Sequence, residues 1–197
     1  IARRQRQMCI RDRVHVGRAL PELVKACETR LSAIIDQPGS AREMQERRDA
    51  WTAFNKNQTT WLNNSRKALQ RTLLPRFSPS GGSSPTAPGR LELLAEGAID
   101  DQIMASRLAM RVLDLSSTEL NELRLRIQHL EKRQELPRGD VLLPDVTARI
   151  LVDQWLDVQM PREGWQLVQD SLAPVMAKKM LEAYKAANEF LVSSGVM

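Results

Sequence analysis

From Trp165 to Leu191 the apolar residues Trp165, Val168, Leu172, Met176, Met180, Tyr184, Ala187 and Leu191 return every three or four positions. Only an α-helix gathers such a series onto one face, because successive residues turn by about 100° around its axis. Similar spacing recurs through the chain. Leu20, Leu23, Val24, Cys27, Leu31, Ile34 and Ile35 share one face, and Leu120, Leu123, Ile127 and Leu130 form a narrower stripe on another segment. Strand formers are scarce, with aromatics at 4%, while Leu, Ala, Met, Arg, Gln and Glu dominate. The fold class is therefore all-α: a helical hairpin, a Pro/Gly/Ser linker and a multi-helix bundle.

Punctuation residues place the helix ends. Pro21 suits the first turn of the first helix, where no N–H is needed, and Gln37-Pro38-Gly39 ends it. Ser40 followed three positions later by Glu43 has capping-box spacing, which predicts a long helix over residues 41 to 73 with Met44, Trp51, Phe54, Trp61, Leu62 and Leu69 on one side. Gln58 and Ser65 interrupt that stripe. Residues 75 to 90 contain four Pro, three Gly and four Ser, a composition that predicts a flexible linker.

Beyond the linker, Ile99, Ile103, Met110 and Leu113 share one face of a helix over residues 98 to 113, and Met104, Leu108, Val112 and Leu115 share another. Apolar on both sides, this segment is expected to be central and mostly buried. Ser116 and Glu119 repeat the capping-box spacing and predict a new helix. Residues 136 to 144 predict a loop, Pro144 or Asp145 starts a helix that stops before Pro161, and Pro161 opens the last helix. Pro174 predicts a kink or break near Leu172, and Gly195 the C-terminal stop.

Residues 8 to 13, Met-Cys-Ile-Arg-Asp-Arg, resemble one translated frame of a transposase mosaic-end adapter. Residues 1 to 13 carry five Arg against one Asp, so a net +4 of the chain's +5 lies there. This segment is expected to be a disordered artefact and the chain a fragment with neither natural terminus. The organisation then reads as residues 1–13 adapter, 14–74 helical hairpin, 75–90 linker and 91–197 α-helical domain. The hairpin holds ten basic and six acidic residues, whereas residues 75 to 197 hold 14 and 17.

Candidate chemistry is sparse. With Cys9 in the suspect segment, Cys27 stands on an apolar helix face, where a core thiol is expected rather than a nucleophile. A single credible cysteine also suits a reducing, cytoplasmic setting. His15 and His129 have no ligand partners at helical spacing, so no metal is expected. Gly81-Gly82 lacks the strand and helix that a phosphate loop needs, so no cofactor is expected either. Adjacent Asp100 and Asp101 are expected to favour the start of the central helix through its dipole, and Asp153 and Asp157 to be solvated. No run of about 18 apolar residues predicts a membrane span.

Several segments resemble a large, uncharacterised proteobacterial family labelled domain of unknown function 1631 (DUF1631). They are Leu91-Glu92-Leu93-Leu94 with Glu96, Ile99-Asp100, Ser106-Arg107, Glu119-Leu120-Asn121-Glu122-Leu123 to Arg126, Leu143-Pro144, Ala183-Tyr184, Asn188, Leu191 and Gly195-Val196. The resemblance is clear over about half the chain and weaker over the hairpin. The sequence departs from the family pattern at Ala95 to Ala98, usually more acidic, and at Gly139 to Pro144, usually richer in Asn, Pro and Gly. The resemblance implies no established activity, and members far longer than this chain.

Three functional readings follow. The leading one is a non-catalytic helical module that contacts another protein, with Met176, Met180, Tyr184 and Leu191 as the contact face if they are exposed. A second makes the chain the N-terminal portion of an enzyme whose active site lies beyond Met197. A third has the mildly basic hairpin bind nucleic acid or an anionic surface through Lys56, Arg66, Lys67 and Arg71. A protein partner is expected ahead of nucleic acid.

Overall fold

A computed structural model describes residues 14–73, 91–131 and 142–196. Within them the chain forms five α-helices and no strand: α1 Val14–Ile34, α2 Ala41–Leu73, α3 Leu91–Glu131, α4 Pro144–Asp157 and α5 Arg162–Ser193. The segments read as adapter and linker lie outside the described residues.

The start of α2 follows from its capping box. The Ser40 backbone N–H donates to Glu43 Oε2 at 2.8 Å, and the Glu43 N–H donates to Ser40 Oγ at 3.3 Å. The Ser40 N–H and, at 2.9 Å, the Ser40 hydroxyl both donate to Glu43 Oε2 and hold the Glu43 carboxyl below the usual carboxylate range. Pro144 occupies the first turn of α4, and Pro161 caps α5. At the far end of α5, Gly195 takes φ +79°, the Val196 N–H reaches Leu191 O at 2.9 Å and the Gly195 N–H reaches Val192 O at 3.0 Å. This closes the helix in a Schellman motif and folds Val196 back onto the core. Gly195→Ala places a Cβ in the left-handed region and is expected to cost about 1 kcal/mol, a melting temperature about 2–4 °C lower. An unchanged midpoint in urea and heat would contradict that cap.

Three helix boundaries differ from the sequence expectation. Pro21 lies inside α1, which begins at Val14. α5 continues through Pro174, whose ring is exposed. Most consequentially, α3 is one helix of 41 residues rather than two. Ser116 is buried in its interior, where the hydroxyl donates to Val112 O, four residues back, at 2.8 Å. A serine that bonds the preceding turn is compatible with helix continuity, so its capping-box spacing to Glu119 misleads. Asp100 and Asp101 are consequently far from the helix start. Asp101 instead accepts two bonds from Arg162, at 2.8 and 3.0 Å, at the beginning of α5.

α5 is the axis of the assembly, with α1 against one side and α3 against another, while α2 packs on α1, α4 and α5 and α4 packs on α3. One continuous apolar core runs from Leu20 to Val196 and takes residues from all five helices. The helices on both sides of residues 75–90 therefore share a single core. Its densest point is aromatic. Trp155 stacks on Phe54 at a centroid distance of 6.0 Å and meets Trp61 at 5.4 Å and Trp165 at 5.5 Å edge-on. The Trp61 indole N–H donates to Leu151 O at 3.1 Å and that of Trp155 to Pro161 O at 2.9 Å, fixing α2 to α4 and α4 to the start of α5.

Candidate interaction surface

The face of α5 that the sequence offers for partner contact is internal. Met176, Met180, Tyr184 and Leu191 are each 2% exposed or less. The correction has a packing reason: α1 and α3 both lie against α5 and take up its apolar seam. Tyr184 donates its hydroxyl to Leu142 O at 2.6 Å, which pins the chain just before α4.

The apolar surface lies on α3. Met104, Leu108 and Val112 are buried against the bundle as expected, but Ile99, Ile103, Met110 and Leu113 are 57, 43, 65 and 40% exposed. At about 100° per residue these four fall within about 80° of one another and nearly opposite Leu108. They form a stripe about 21 Å long, with Ser106 on the same line as its one polar member. Leu115, expected to be buried, is 61% exposed, and nothing in its surroundings explains this. Asp100, Arg107 and Asp114 follow one edge of the stripe at seven-residue intervals, all exposed. Behind it, Arg111 pairs with Asp170 and Arg162 with Asp101, so α3 is clamped to α5 by charges on both sides of the stripe's midpoint.

Other groups are structural in placement. Several residues that carry the family resemblance meet between α3 and α5: Arg126 Nη1 donates to Asn188 Oδ1 at 2.8 Å and to Glu122 Oε2 at 2.9 Å. Asn188 Nδ2 in turn donates to the backbone and side chain of Glu119, both at 3.1 Å. This bridge satisfies a buried amide by tying two helices together. Cys27 is wholly buried, and burial pushes its thiol far up, away from the reactive thiolate. His129 is exposed. Asp153 is raised chiefly by partial burial, opposed by Arg149.

A groove of about 520 Å³ opens between α1 and α5, with Glu22, Lys25 and Arg30 in its walls. Glu22 pairs with Lys179 at 2.9 Å and Arg30 Nε donates to Leu167 O at 3.3 Å, so these groups join the two helices. Among the described residues no cluster of three His, Cys, Asp or Glu is placed to hold a metal ion, and no helix is long and apolar enough to cross a membrane.

Lys56, Arg66, Lys67 and Arg71 are all exposed on α2. No described carboxylate pairs with them.

No curated protein and no solved structure matches the chain. A family model does, described as Protein of unknown function (DUF1631) N-terminal domain, over residues 4–195. The match includes the hairpin, where the motif resemblance is weak, and begins within the segment read as adapter.

Proposed function

The chain belongs to the DUF1631 family, and from that premise we propose that it is a non-catalytic interaction module which docks an amphipathic helix of another polypeptide along α3. The observation that carries this reading is the exposed stripe Ile99, Ile103, Met110 and Leu113 on a helix whose opposite face is already packed. Contiguous exposed apolar surface is disfavoured in water unless something covers it, and a straight stripe at helical spacing suits a second helix.

Charge at the edge of the stripe favours a different polypeptide over a second copy. In an antiparallel pairing that sets Ile103 opposite Leu113 of the second copy, Arg107 falls beside Arg107 and Asp100 beside Asp114. Like charges at such positions are unfavourable. A partner helix with cation, anion and cation in sequence along its edge meets Asp100, Arg107 and Asp114 with opposite sign. A cytoplasmic setting belongs to the same reading and rests on the free, buried Cys27.

The test is site-specific photocrosslinking of the full chain in its host. A crosslinker at Met110 or Ile103 is expected to give one discrete adduct that is not twice the chain's mass. Introducing Leu113→Lys should remove that adduct while changing stability by no more than about 0.5 kcal/mol, because the site is exposed. A crosslinker at Leu125, which is 67% exposed but off the stripe, should give none. Equal adducts at Leu125 and Met110 would sink the proposal.

A further inference from the structure

We infer that the outer face of α2 binds the phosphodiester backbone of duplex DNA. This rests on a different helix and different chemistry from the α3 stripe, so either proposal can fail alone.

The first half of α2 mixes charges, with Arg42 and Glu46 paired at 2.7 Å, but from Ala50 to Leu73 the helix carries four cations and no acid. The fold turns this composition into a surface. Every exposed position from 52 to 71 is Lys, Arg, Thr, Asn or Gln, while Phe54, Trp61 and Ser65 face the core. Lys56, Lys67 and Arg71 lie within about 60° of one another around the axis, and Arg66 flanks them. Elsewhere the packing of helices is accompanied by neutralised cations, as in Arg111 with Asp170, Arg162 with Asp101 and Lys179 with Glu22. Lys56, Arg66, Lys67 and Arg71 have no such partner among the described residues, and all four are exposed.

The neighbours of these cations select among polyanions. An anionic membrane surface would be held by apolar side chains beside the charges, and the exposed positions from 52 to 71 include none. Single strands are held by stacking on aromatic rings, yet Trp61 and Phe54 are buried. Duplex DNA needs neither. Its phosphates accept from Lys and Arg, and neutral amides and hydroxyls such as Asn55, Asn63 and Gln70 supply further donors to phosphates and base edges. The face is about 29 Å long, close to one turn of duplex, and a helix about 10–12 Å across fits a major groove about 12 Å wide.

The experiment is fluorescence anisotropy of the full chain with a labelled duplex of about 20 base pairs, titrated between about 50 and 200 mM salt. Four phosphate contacts at about 0.9 counterion each give a log–log slope near −3.6, an affinity loss of about 10²-fold over that range. In the variant Lys56→Gln, Arg66→Gln, Lys67→Gln, Arg71→Gln that share of the slope is expected to vanish with helix content unchanged. A slope unaltered by these substitutions overturns the inference, since arginines among residues 3 to 13 would then carry the binding. Polyglutamate competing as well as DNA overturns it in favour of an acidic protein surface. Duplex RNA is expected to bind several-fold more weakly because its major groove is too narrow for a helix, and parity between the two also overturns it.

Discussion

Trp155→Ala is expected to lower the stability of the fold by about 3–5 kcal/mol, the usual range for removing a buried tryptophan. Against a total stability of about 5–15 kcal/mol for a domain, that is a large fraction. The site explains the size of the loss. Trp155 touches Phe54, Trp61 and Trp165 at ring distances of 5.4 to 6.0 Å, so truncation leaves a cavity bounded by three large rings that cannot all move inward. It also removes the shorter of the two bonds to the Pro161 carbonyl at the start of α5, which then keeps only the Trp165 N–H at 3.3 Å. A melting temperature lower by roughly 6–20 °C is the expected readout. The contrast with Trp165 sharpens the test. Trp165 is equally buried, but its indole N–H has no hydrogen-bond partner. Replacing Trp165 by Phe removes an unsatisfied donor, whereas replacing Trp155 by Phe removes a satisfied one. Trp155→Phe should therefore be the costlier of the two, and the reverse order in urea melts would contradict the hydrogen-bond assignment.

Gly164→Leu is expected to be nearly as damaging for the opposite reason, too much volume. Gly164 lies in the first turn of α5 where it crosses α2. A Cβ there would stand 3.2 Å from Ala50 Cβ, 3.3 Å from Trp155 Cζ2 and 3.4 Å from Pro161 Cγ. None of these neighbours is the free end of a flexible side chain: one is a helix methyl, one a ring held by its own hydrogen bond and one a proline. Gly164→Ala is expected to cost about 1–3 kcal/mol by overpacking despite the better helix propensity of alanine. Leucine must push α2 and α5 apart and should cost more. Because Gly164 and Trp155 are in contact, their effects should not add: Gly164→Ala in a Trp155→Phe background is expected to be milder than in the wild type, with a coupling of about 0.5 kcal/mol or more. Strict additivity in that double-mutant cycle would show that the crossing is looser than these distances imply.

The two elements most readable from the chain are α2 and α5, because each carries both a boundary chemistry and a periodic face. Ser40 and Glu43 announce the start of α2 with side chains that bond its free backbone donors. For α5, Pro161 and Gly195 bracket a seam whose members all prove to be buried. α3 was less readable for an equally local reason: Ser116 has the spacing of a cap but bonds Val112, and spacing does not reveal which bond a hydroxyl makes. The bridge of Glu119, Arg126 and Asn188 was visible only as scattered points of family resemblance, since its partners lie 62 to 69 positions apart in the chain.

Composition and local spacing were enough to determine that the protein is helical, where most helices end and which residues face the same way, since backbone geometry dictates these within a few turns. Which apolar face is covered was decided by the tertiary structure alone. The seam of α5 and the stripe of α3 have the same chemistry in sequence; one is sheathed by α1 and α3, the other looks into water. Burial depends on where remote helices pack, and periodicity along a single helix carries no information about that.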